Sequence, residues 1–83
     1  MRVESAIERL LAAHPLVARV EIHVCKDGDR YGAEVYVEQD SDDLQARLAW
    51  VAVYAPTPAE ALSQALEEAL AVVNSLPNTE QAL

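Results

Sequence analysis

The stretch from Arg47 to Asn74 constrains this chain most, because a strand, a stop and a helix start follow one another there without a gap. Residues 47–54, which include Trp50, Val51, Val53 and Tyr54, are rich in the β-branched and aromatic side chains that pack well on a pleated surface, and they predict a strand. Ala55 and Pro56 end it. Thr57, Pro58, Ala59 and Glu60 then read as a capping box: the Thr57 hydroxyl can accept from the Glu60 backbone N–H, and the Glu60 carboxylate can reach back to Thr57. Pro58 falls at the first helical position, where its missing N–H leaves nothing unsatisfied. Beyond it Leu62, Leu66, Ala69, Leu70 and Val73 recur at helical spacing as one apolar stripe.

The chain upstream divides as clearly. Val3, Ala6, Ile7, Leu10 and Leu11 share one face of a helix over residues 3–13, which His14-Pro15 ends because a residue before proline avoids the helical region. Residues 17–26 alternate, with Val20, Ile22 and Val24 on one side and Arg19, Glu21, His23 and Cys25 on the other. Asp27-Gly28 follows, and an Asp-Gly pair between alternating runs signals a hairpin. The returning strand, Tyr31 to Glu38, places Ala33, Val35 and Val37 inward and Glu34, Tyr36 and Glu38 outward. Residues 39–45 are an acidic connection in which Ser41 can cap a helical turn. The strand after it is apolar on both faces: Ala49, Val51 and Val53 on one, Leu48, Trp50, Ala52 and Tyr54 on the other. Such a strand is central or meets something with its second face or its open edge. Leu76-Pro77-Asn78 breaks the second helix, so residues 1–76 read as a single domain and 77–83 as a flexible tail.

The expected fold is an α+β, two-layer α-β-β-β-α sandwich. Both helices cover the Val20/Ile22/Val24 face of a three-stranded antiparallel sheet. The far face then shows His23, Tyr36, Trp50 and Tyr54 among Glu21, Glu34 and Glu38. This element order resembles the double-stranded-RNA-binding domain, in which a lysine cluster at the start of the second helix holds phosphates. Here that stretch is Thr57 to Gln64, without one basic residue, so the resemblance covers topology and does not extend to RNA. The strand followed by Thr57-Pro58-Ala59-Glu60-Ala61-Leu62 is also similar to the strand-to-helix junction of HicB-type antitoxins and of small phage proteins, a junction that is a general capping solution.

Charge narrows the function classes. The 83 residues carry a formal net charge of −8. That opposes direct binding of nucleic acid or anionic lipid, whose phosphates need Lys and Arg, and it favours a basic protein partner or simple solubility. Every Lys and Arg lies at or before Arg47, and from Asp27 to Asp43 seven acids face Arg30 alone. A single cysteine, Cys25, excludes an internal disulfide and suits a reducing compartment. The N-terminus lacks the pattern of a signal peptide and no apolar run is long enough for a bilayer, so the expected location is the cytoplasm.

The candidate partner-binding residues are Asp27, Asp29, Glu34, Tyr36, Glu38, Asp40, Asp42, Asp43, Trp50 and Tyr54. Aromatics rimmed by acids suit a protein contact, including a second copy of the chain, and the plainer alternative is that the tail or the acidic connection folds over Trp50. Carboxylates along the hairpin and its following loop can stand where phosphates would sit, as in a phage-type or mobile-element inhibitor that occupies a basic nucleic-acid-binding surface; the plainer alternative is a solvated, charge-biased surface. Asp40, Asp42 and Asp43 lack the glycine and glutamate spacing of an EF-hand loop, and no metal or other cofactor is expected. His23 and Cys25 stand two apart on one strand, but two ligands do not make a zinc site, and a Cys–His pair without a pocket or oxyanion donors does not make an enzyme. The expectation is a non-enzymatic acidic protein-binding module, with a structural domain that homodimerises through the third strand or the outer sheet face as the alternative.

Overall fold

The computed structural model describes residues 2–40 and 47–77. The Ser41 cap, Asp42, Asp43 and the tail from residue 78 lie outside the described residues. The elements run α1 (Val3–Ala12), β1 (Arg19–Asp27), β2 (Arg30–Glu38), β3 (Arg47–Ala55) and α2 (Pro58–Asn74). The three strands form one antiparallel sheet in the order β1-β2-β3. This is the expected α-β-β-β-α sandwich.

The local signals act largely as read. Thr57 Oγ1 accepts from the Glu60 backbone N–H at 3.2 Å and Pro58 opens α2, so the strand-to-helix turn is closed by its own side chain. The hairpin loop is Gly28–Asp29, because Asp27 pairs with Arg30. Gly28 takes φ 64°, the positive value that a type II′ turn demands of its first central residue. The two strands therefore join in the register that their alternating runs imply, with Lys26 opposite Tyr31.

The core lies between the inner sheet face and α2. Ala33, Val35, Val37, Ala49 and Val51 from the sheet meet Ala61, Ala65, Leu66, Ala69 and Val73 from α2, while Ala6 and Leu10 of α1 complete the cluster. Ala61, Ala65 and Ala69, four apart, bring a methyl-sized stripe into that core beside Leu66 and Val73. α1 has no side-chain cap, and it packs against α2 by burying Ala6 and Leu10.

Three expectations need correction, the first being Leu11, which was placed on the apolar face of α1 and is 45% exposed. Val24 was expected under the helices, yet it is 48% exposed because α2 lies over β2 and β3, burying the opposite Ala33 completely while leaving the β1 edge open at that level. Leu48 was expected on the outer face beside Trp50. A β-bulge at the Val37/Glu38 step instead sets Arg47 opposite Glu38, and Leu48 packs half-buried against the core.

Candidate functional site

Strand register decides which side chains meet on the uncovered side of the sheet. Four rows cross all three strands there: Arg19–Glu38–Arg47, Glu21–Tyr36–Trp50, His23–Glu34–Ala52 and Cys25–Gly32–Tyr54. Residues directly opposite one another in such rows have Cβ atoms about 5 Å apart, so each row is a set of touching neighbours.

Glu34 is the centre of the face. Its Oε2 accepts from the Tyr36 hydroxyl at 2.6 Å and from the Trp50 indole N–H at 3.2 Å. These two donors, Tyr36 first, hold the Glu34 carboxyl below the usual glutamate range; burial works against them and the charge of His23 adds a little. The same hydrogen bond raises the Tyr36 hydroxyl above its ordinary value, because ionising it would remove the donor. Tyr36 and Trp50 stack with centroids 6.3 Å apart and planes 17° from parallel, and His23 meets the Tyr36 ring edge-on at 5.5 Å.

Two guanidiniums finish the arrangement. Arg47 lies over the Tyr36 ring at 4.5 Å from its centroid, and Arg30 lies over Tyr54 at 4.9 Å. Glu38, only 9% exposed, is clasped by Arg19 Nε at 3.0 Å and Arg47 Nε at 3.8 Å. That contact also raises the Arg19 guanidinium further above its already high value. Trp50 and Tyr54 remain 58% and 52% exposed. Between them opens a depression of about 310 Å³, lined also by Cys25, Gly32, Glu34 and Ala52. Gly32 leaves the room for this: a Cβ would come within 2.9 Å of Tyr54 Cε1 and 3.1 Å of Cys25 Sγ, so its missing side chain lets the tyrosine ring lie across β2.

The ten residues singled out in the sequence thus separate. Glu34, Tyr36, Trp50 and Tyr54 converge on one face. Glu38 is on that face but is engaged by two arginines, and Asp27 pairs with Arg30 at 3.9 Å where both are well exposed and the pair contributes little. Asp29 stands at the hairpin tip and Asp40 follows the other end of β2, about 30 Å away along a nine-residue strand. Asp42 and Asp43 lie outside the described residues. The acids therefore form no single row among the described residues. Sequence reasoning missed Arg30, Arg47 and Gly32. Arg30 had a legible signal, its outward position at the start of β2, whereas Arg47, aimed at Glu38 and Tyr36 only by the bulge, had none.

The other chemistry-bearing candidates are structural or isolated. His14 is 7% exposed; its Nδ1 accepts from the Leu16 N–H at 3.2 Å and its Nε2 donates to the Pro77 carbonyl at 3.1 Å. Both nitrogens are engaged, so His14 ties the end of α1 to the chain leaving α2, and Pro77, expected to begin the tail, is held by it. Cys25 is exposed and free, on the same outer face as His23. Among the described residues no three His, Cys, Asp or Glu side chains are grouped so as to hold a metal ion, and no helix is long and apolar enough to cross a membrane.

No family model matches the chain, and neither the curated proteins nor the solved structures contain a match.

Proposed function

We propose that this chain is a non-enzymatic protein-binding module whose contact surface is the outer sheet face built on Tyr36, Trp50, Tyr54, Arg30 and Arg47. The observation that carries this reading is the exposure of Trp50 and Tyr54 on a rigid, hydrogen-bonded sheet. Trp, Tyr and Arg are the residue types that dominate binding energy at protein interfaces. Here the rings are already oriented by Glu34 and the two guanidiniums, so little side-chain freedom is lost on docking. The face is close to neutral, since Arg19, Arg30 and Arg47 stand among Glu21, Asp27, Glu34 and Glu38. The excess negative charge lies elsewhere, including Glu60, Glu67 and Glu68 on α2, a helix with no basic residue.

That division gives each part a role. The net charge of −8 steers a basic partner through long-range attraction, and the aromatic face holds it at short range. The narrower form of this reading is an inhibitor that covers a nucleic-acid-binding surface; the overall charge supports it, and the spread of Asp27, Asp29 and Asp40 over both ends of the sheet assigns those acids to attraction more than to contact. The single exposed thiol of Cys25 suits a reducing, cytoplasmic setting.

A photo-cross-linking amino acid at position 50 tests the proposal in extracts of the source cell, with one at Val72, exposed on α2, as the control. A discrete adduct from position 50 that is suppressed by salt and missing from position 72 supports it. Equal labelling from both positions overturns it. A second reading rests on β3, whose far edge pairs with no strand among the described residues and which carries no acid. Such an edge can pair antiparallel with its copy about a two-fold axis. Light scattering at micromolar concentration separates the two, because only this second reading requires a concentration-dependent dimer without any partner.

A further inference from the structure

We propose that the depression between Trp50 and Tyr54 is a subsite for one cationic side chain, a lysine ammonium or an arginine guanidinium, presented by the partner protein. This deepens the binding reading above and rests on it. The depression is built from the strand pattern: Trp50, Ala52 and Tyr54 project outward at alternate positions, so two large rings flank one methyl group. Opposite Ala52 stands Glu34, and opposite Tyr54 stands Gly32, which adds no side chain to the space. The result is a space of about 310 Å³ with aromatic walls and a carboxylate at its side. Aromatic faces with a nearby anion are the surroundings that bind ammonium and guanidinium groups.

Two further observations point to a cation over a neutral apolar group. The rings of this face already carry guanidiniums, Arg30 on Tyr54 and Arg47 on Tyr36, so their faces accept that chemistry within the chain itself. The Tyr36 and Trp50 donors both approach Oε2 of Glu34, which fixes the carboxylate in place while leaving Oε1 without a hydrogen bond among the described residues. A fixed anion with one uncommitted oxygen at the side of a ring-walled space suits an N–H donor that carries charge.

The experiment uses the full chain and three small probes: the Nα-acetyl methylamides of lysine, arginine and norleucine, the last a neutral analogue of lysine. Trp50 is the sole tryptophan, so its indole N–H is one resolved NMR signal, and the amide of Gly32 reports the opposite wall. The expected result is a saturable shift of both signals with the lysine or the arginine probe and none with norleucine. E34Q keeps an acceptor for Tyr36 and Trp50 but removes the charge, and it should weaken the response about tenfold. A52L fills the space while leaving the Glu34 charge in place, and should abolish it. A response to norleucine equal to that of lysine, an unchanged response in E34Q, or no saturable shift in the folded chain overturns the proposal. Which cation binds more tightly decides between ammonium and guanidinium. If the probes fail while cross-linking from position 50 remains specific, the subsite is wrong and the binding reading stands; if cross-linking fails, the binding reading falls whatever the probes do.

Discussion

The two faces of the sheet are made by the same three strands and yet are organised by opposite rules. On the helix side Val20, Ile22, Val35, Val37, Ala49 and Val51 are interchangeable in chemistry and specific only in size, because their task is to exclude water. On the open side almost every residue differs from its neighbour, and the two carboxylates of β2 have different partners: Glu34 with Tyr36 and Trp50, Glu38 with Arg19 and Arg47. The difference separates apolar packing from polar pairing. The first face folds the chain, and the second, which leaves Trp50 and Tyr54 largely in solvent, is the one proposed as the contact surface.

The largest effect that can break this division is on the covered side. Leu66 is fully buried between α2 and the sheet, so Leu66→Ala should lower stability by about 2–5 kcal/mol, comparable with the whole stability of a small domain. Trp50→Ala on the open side should change it by less than about 1 kcal/mol despite removing a larger side chain. Urea unfolding of both variants checks the pair, and similar losses would mean that the open face also holds the fold together.

His14 offers a smaller effect at the end of the helical layer. His14→Ala removes both the acceptor for Leu16 and the donor to Pro77, and should destabilise by about 1–3 kcal/mol, read as a lower thermal midpoint. Thr57→Ala should cost about 1 kcal/mol, since Glu60 N–H then loses its acceptor at the start of α2. Neither substitution should alter the Trp50 indole signal, and a shift there would show that the two faces communicate.

The smallest effect sharpens the open face itself. Glu34 titrates below the usual range in the folded chain, so its hydrogen bonds contribute fully above the carboxyl value of the unfolded chain. That contribution fades as pH falls through the lower folded value. The Trp50 indole N–H should therefore shift with a midpoint more acidic than an ordinary glutamate, and Tyr36→Phe should move that midpoint upward because the first donor is gone. An NMR titration that found an ordinary glutamate midpoint would remove Glu34 from the centre of the face.

Much of this was legible in the residues. Period-two alternation placed Val35 inward and Tyr36 outward, and Thr57 to Glu60 announced α2, because those signals depend only on neighbours within a few positions. Trp50 on the open side was legible for the same reason. The role of each carboxylate was not: Glu34 and Glu38 are two turns of one pleated pattern, but one binds two aromatic donors and the other is nearly buried under two arginines.

What the sequence determined by itself, then, is the order of the elements, the faces of the strand residues away from the bulge and the helix start at Thr57. Tertiary structure alone decided how far α2 covers β1, the bulge that turns Leu48 inward and Arg47 outward, and the depression between Trp50 and Tyr54. The reason is range. A pleat or a cap is settled by backbone geometry over a few residues, whereas a cross-strand neighbour is settled by how two strands slide past one another, and that sliding is fixed only when the whole sheet packs beneath α2.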